Sequence, residues 1–281
     1  MTPSSASLTY DEYGSGPVVV LIHGSPGSSK SWLRVGERLA TNFRIIAPNL
    51  PGYGGSDPRP SDVVSDTAWV ARQIESLLET IGEPVVLAGH SYGGNVALTV
   101  AMHDALEHRH RANARGNLAV KGLALFEPVA LSVLRLAGND AAYATARAAI
   151  DDYVTSQEAG DRRAVRKMFD LWFGAGAFDA MPERAQEHLT NEAARNVLDV
   201  KATRLEQYSA TDLQRLTVPT LLVYGSKSPK LTFQIVDAMA TLVSSSSIVE
   251  LEGATHAMTA THDGAIAELI ADVAMRAGSS P

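Results

Sequence analysis

Residues 83–100 read EPVVLAGHSYGGNVALTV: an apolar run, a serine bracketed by glycines, then small and branched residues at helical spacing. Val85 to Ala88 are apolar without alternation, as in a strand buried on both faces, and Val96 and Val100 mark a helix beyond the turn. Between them, Gly89-His90-Ser91-Tyr92-Gly93 fits the G-x-S-x-G pattern in its strand, turn, helix setting. Small residues at 89 and 93 let the backbone turn sharply enough to leave a hydroxyl exposed. Ser91 is therefore the candidate nucleophile.

The same rhythm runs outward in both directions. Further apolar runs are VVVLI (18–22), RII (44–46), LALF (123–126), LLVY (221–224) and SIVEL (247–251). Val70, Ile74, Leu77, Leu78 and Ile81 recur at helical spacing before Gly82 and Pro84, which predicts a crossover helix over 66–81. Alternating strands and helices predict one α/β sheet, mostly parallel. From Pro128 to Thr217, about ninety residues show helical periodicity and no convincing strand, too long for an ordinary connection and hence an insertion with its own helices. Most of its aromatic residues are expected to pack those helices together. Trp172 and Phe173 are the candidates for facing a substrate.

Composition narrows the function classes. The chain has 281 residues, 45% hydrophobic and 20% charged, as in an ordinary globular protein. Its 24 basic and 31 acidic residues give a net charge of −7, which suits no phosphate backbone, so nucleic acid is not the expected partner. Without cysteine there is no disulfide, thiolate metal site or cysteine nucleophile. The opening MTPSSASLTY lacks the basic and apolar regions of a signal peptide, and no early apolar run could span a bilayer, so a cytoplasmic protein without membrane partners is expected. HRHRANARGN (108–117) follows a helix and reads as a solvated basic loop rather than a metal site. The AGSSP tail reads as a frayed end.

A serine hydroxyl needs a base, and Gly253-Ala254-Thr255-His256 supplies one just after the final strand. His262, near the start of the last helix, is the weaker competitor. An oxyanion needs preorganised N–H donors, and His23-Gly24-Ser25-Pro26-Gly27 follows the strand 18–22. The donors would be the backbone amides of Ser25 and Tyr92, while His23 and Pro26 shape the loop.

With HGSPGSSKSW (23–32), NLPGYGGSDP (49–58), GHSYGG (89–94) and GATH (253–256) in place, the chain resembles the α/β-hydrolase fold superfamily over residues 6–277. The resemblance implies an eight-stranded, mostly parallel sheet with a helical cap after its sixth strand. Residues 1–128 and 218–281 would form the core and 129–217 the cap. It also implies a triad of serine, acid and histidine. A serine at the elbow, where dehalogenases and epoxide hydrolases of the superfamily carry aspartate, argues against those activities.

One departure stands out. Where the family places its acid in a G-x-x-D stretch after strand seven, this chain reads Gly225-Ser226-Lys227-Ser228. Ser228 can hydrogen-bond an imidazole but cannot neutralise an imidazolium. The best substitute is Glu127, at the end of the neighbouring strand in Leu125-Phe126-Glu127-Pro128, and some members of the superfamily place the acid there. Glu252 and Asp263 lie too close to His256 in sequence to fold back behind its ring.

The expected triad is thus Ser91, His256 and Glu127, working without metal or organic cofactor on a small hydrophobic ester, lactone or related carbonyl compound. A monomer or homodimer is expected. Amide and C–C bond hydrolysis would use the same groups. A lyase or cyclase, or a slow-turnover ligand receptor, is the alternative.

Overall fold

The computed structural model describes residues 6–60, 64, 66–110 and 120–278. In chain order its strands are β1 (Tyr10–Gly14), β2 (Val18–Ile22), β3 (Arg44–Pro48), β4 (Val85–His90), β5 (Val120–Phe126), β6 (Thr220–Gly225) and β7 (Ser246–Leu251). They form one sheet in the order β1-β3-β2-β4-β5-β6-β7. β1 runs antiparallel to β3 and every other pairing is parallel. The helices that cover it near its first half are α1 (Leu33–Leu39), α2 (Thr67–Ile81) and α3 (Tyr92–His110).

Side-chain alternation along β2 divides the core. Val18, Val20 and Ile22 enter one cluster with Val70 and Ile74 of α2, whereas Val19 and Leu21 enter the other with Val35 and Leu39 of α1. Because helices lie on both faces, the central strands are apolar throughout, and that is why their runs stand out in the sequence. The expected crossover helix is α2: Asp66 caps it by accepting from Trp69 N at 2.6 Å, and Gly82 closes it in the left-handed conformation.

The sheet has seven strands among the described residues, not the eight expected. Residues 6–9 ahead of β1 make no strand because they bond to the 49–57 loop. Ser7 N donates to Asp57 Oδ2 at 3.0 Å, Thr9 N to Ser56 Oγ at 2.9 Å, and Thr9 O accepts from Asn49 N at 2.9 Å.

Between β5 and β6 the described residues hold five α-helices and no strand: α4 (Ser132–Leu136), α5 (Asp140–Glu158), α6 (Val165–Phe173), α7 (Glu183–Leu205) and α8 (Ala210–Gln214). The chain then completes the sheet and closes with α9 (Lys230–Leu242), α10 (Met258–Thr261) and α11 (Asp263–Gly278). Side chains of the 108–117 segment, and residues 279–281 of the tail, lie outside the described residues.

Glu206, just past α7, ties that helix to α2 and α3. Asn95 Nδ2 of α3 donates to both its oxygens at 2.9 Å and Thr67 Oγ1 to Oε1 at 2.6 Å, while Asn95 Oδ1 accepts from Val129 N at 2.8 Å. Burial pushes the Glu206 carboxyl up from 4.5 to about 7, against the hydrogen bonds that pull it down. The folded chain therefore holds a proton that the unfolded chain has released. This group's contribution to stability declines as pH rises from 4.5 towards 7. Glu206→Gln should flatten that decline in denaturant titrations across the interval; an unchanged slope would clear Glu206 of the effect.

Candidate active site

β4 ends at His90 and α3 begins at Tyr92, which leaves Ser91 alone in the turn with φ of 54°. A left-handed backbone is costly for a side chain, about 1–2 kcal/mol. The surroundings enforce it. A Cβ at Gly89 would come within 2.3 Å of Gly93 O, and one at Gly93 within 2.3 Å of Ile22 O, so both positions must stay glycine for β4, α3 and β2 to meet. Ser91 N donates to Phe126 O at 2.9 Å, fixing the elbow to β5.

Among the described residues, Ser91 and Glu127 are the non-glycine positions with positive φ, the latter at 45°. Strain of this kind persists where surrounding structure over-determines it, and it clusters at functional sites. Here it falls on the candidate nucleophile and the candidate acid.

Glu127, fully buried at the end of β5, accepts from Gly225 N at 2.7 Å through Oε1. Its Oε2 lies 2.5 Å from His256 Nδ1, in the loop between β7 and α10. A carboxylate only accepts, so Nδ1 carries the proton and Nε2 keeps its lone pair, the tautomer a general base requires.

The alternatives are elsewhere. Asp263 pairs with Arg38, Glu252 is exposed, and His262 bonds to Thr261. Ser228 Oγ, where the resemblance implies an acid, is buried without a hydrogen-bond partner.

Three rings surround His256. Trp172 stacks at 5.9 Å between centroids, Phe173 meets it edge-on at 5.1 Å, and His90 lies at 4.7 Å. Burial, aided by the neighbouring His256, holds His90 well below the usual imidazole range, so His90 stays neutral and does not oppose positive charge on His256.

His23 fixes the loop after β2. Its Nε2 accepts from Leu50 N at 2.9 Å, so its Nδ1 donates to Gly24 O at 2.7 Å; burial lowers this imidazole to about 4 and keeps it neutral. The Ser25-Pro26 peptide of this loop is cis.

Ser25, Ser91, Tyr92 and His256 all open onto one cavity of about 240 Å³. Trp172 and Phe173 of α6 line it, with Ile150 of α5 and Val165 and Met168 of α6. The wall from α7 is more polar, with Asn196, Asp199 and Thr203.

That polar wall escaped the sequence reading. Asp199 Oδ1 accepts from Arg59 Nη2 at 2.5 Å, and its Oδ2 from Ser25 Oγ at 2.6 Å and Tyr53 OH at 2.8 Å. The signal was faint. Asn196 and Asp199 stand three apart on one face of a helix rich in charged residues, where they look solvated.

Among the described residues no group of three or more histidine, aspartate or glutamate side chains could hold a metal ion, and no helix is long and apolar enough to cross a membrane.

The chain is 28% identical to a pimeloyl-[acyl-carrier protein] methyl ester esterase of Aeromonas hydrophila over 273 residues, 94% of this chain and 98% of that protein. A shorter match, 44% identical over 89 residues, joins it to an uncharacterized protein of Mycobacterium tuberculosis; it covers 31% of this chain and 26%, about a quarter, of that relative. An esterase from Exiguobacterium antarcticum superposes with a TM-score of 0.71 at 21% identity, covering 96% of each chain, which establishes likeness of fold. A family model described as the alpha/beta hydrolase family matches residues 19–269, and the chain belongs to that family.

Proposed function

We propose that this hydrolase is a serine esterase for small, largely apolar esters or lactones. The observation that carries the reading is the 2.5 Å contact of Glu127 with His256 on the rim of the cavity that also holds Ser91. In this reading Ser91 Oγ attacks the carbonyl carbon and passes its proton to His256 Nε2. Glu127 keeps the ring in register and balances the imidazolium, while the Ser25 and Tyr92 amides receive the oxyanion. Collapse expels the alcohol, which takes the proton from His256. Water then adds to the acyl-enzyme with His256 again as base; the acid leaves and the proton returns to Ser91. The cycle draws on no cofactor.

Residues 129–217 act as a cap over the core formed by 1–128 and 218–281. Its α5 and α6 side chains make the apolar wall, and a cavity of about 240 Å³ suits a short acyl group. The methyl ester esterase relative supports ester chemistry and leaves the acyl group open.

The test is covalent. A fluorophosphonate should add once, at Ser91, and block turnover of p-nitrophenyl butyrate; no adduct and no turnover would refute the esterase reading. Trp172→Ala should shift preference from acetate towards hexanoate esters by roughly tenfold in kcat/KM, because the indole bounds the acyl space. Equal loss for both esters, with reduced stability, would assign Trp172 to packing alone.

A further inference from the structure

Both residues whose amides would receive the oxyanion have side chains tied to one buried ion pair. Arg59 and Asp199 meet at 2.5 Å, with side chains 7% and 3% exposed. From Asp199 the network reaches Ser25, whose hydroxyl donates to Oδ2 at 2.6 Å and accepts from Asn196 Nδ2 at 3.0 Å. From Arg59 it reaches Tyr92, whose phenol oxygen accepts from Nη2 at 3.4 Å. Tyr53 OH donates to the same Asp199 oxygen as Ser25, and Tyr153 OH to Asn196 Oδ1 at 2.8 Å, so the cluster is braced from behind.

We infer that the Arg59–Asp199 pair is a positioning device: it sets the spacing of the Ser25 and Tyr92 amides, and through Asp199 and Asn196 makes the oxyanion hole depend on how α7 sits. This rests on the esterase reading of the site. An oxyanion hole works by preorganisation, so its two donors, on separate loops, need a common reference. Ser25 sits in a loop whose backbone amides cannot be aimed by a helix or strand. A charge-assisted bond to its hydroxyl is a strong restraint, and a displacement of about 1 Å can cost a hundredfold in rate. A carboxylate buried this deeply, its side chain 3% exposed, would be costly if it were unpaired. Here it carries three donors at hydrogen-bond distance.

The α7 residues are the notable part, because they lie far from the elbow in sequence. A substrate that shifts α7 would shift Ser25 with it, so filling the cavity and completing the oxyanion hole become one event.

The test uses the full chain with Ser25→Ala, Asp199→Asn and the double variant. Ser25→Ala removes the hydroxyl, keeps the amide and leaves Arg59 paired, so it decides the matter even if Asp199→Asn folds poorly. Each single variant should lower kcat for p-nitrophenyl butyrate roughly ten- to a hundredfold with KM within about twofold. A trifluoromethyl ketone, which forms a hemiketal oxyanion on the serine, should lose affinity by the same factor. The double variant should be no slower than the slower single one, since both changes cut the same link.

Additive losses, or a raised KM with kcat unchanged, would overturn the inference and place Asp199 against substrate instead. So would wild-type kinetics in Ser25→Ala. Failure of the wild-type chain to turn over the ester or accept a fluorophosphonate would overturn the esterase reading itself, which separates the two failures.

Discussion

Ser91→Ala is expected to lower kcat for p-nitrophenyl butyrate by about six orders of magnitude, the loss that follows removal of a triad nucleophile. The change deletes one oxygen. Alanine keeps the Cβ, and the bond from the residue 91 amide to Phe126 O involves backbone alone, so the elbow has no reason to move. Thermal stability should therefore stay within about 0.5 kcal/mol of the parent, as for substitutions that disturb no packing or buried polar partner. Ser91→Gly makes the complementary point. Position 91 has φ of 54°, where glycine pays no steric penalty, so this variant should be equally inactive yet more stable by about 1 kcal/mol. Measuring turnover and unfolding on both variants separates chemistry from strain. Retention of more than a hundredth of the parent rate by either variant would remove Ser91 from the covalent step.

Strands buried on both faces were the plainest in the sequence, and the branched residues of SIVEL made β7 legible too although none of its residues is buried. β2, β4 and β6 show as unbroken apolar runs because helices cover them on both sides. β1 did not show: YDEYG is polar, four of its five residues are exposed, and it gains its place only by pairing with β3. A tertiary partner, not a local preference, makes it a strand. Ser91 and His256 were legible because glycine spacing and position after a strand carry local geometry. Glu127 was legible by an absence, the serine at 228, once a resemblance said where an acid should stand. Asp199 left only a faint trace. In NEAARNVLDVKATRL it is one polar residue among many, and only the packing of α7 against the loop after β2 turns it inward.

Glu127→Gln should lower kcat by about four orders of magnitude while KM changes little, by analogy with loss of the carboxylate from a serine protease triad. The reason lies in counting protons. The carboxylate accepts from two donors, Gly225 N–H through Oε1 and His256 Nδ1–H through Oε2. A glutamine side chain in the same place offers one acceptor oxygen and one NH2 group. If its oxygen faces Gly225, the NH2 confronts His256, and the imidazole escapes the clash of donors by moving its proton to Nε2. The ring then cannot take the proton of Ser91. If the oxygen faces His256, the Gly225 amide loses its partner, a buried unsatisfied donor costing about 1–3 kcal/mol, and the imidazolium still lacks a counter-charge. Either orientation cripples the base, and only the second costs much stability. Ser228→Ala, by contrast, removes a hydroxyl that is buried without a hydrogen-bond partner, so turnover should stay within about twofold of the parent. Steady-state kinetics on the two variants, with folding checked by circular dichroism, reads the contrast directly. A silent Glu127→Gln beside a crippling Ser228→Ala would give the task of orienting His256 to the Ser228 hydroxyl and leave Glu127 as a buried brace for Gly225.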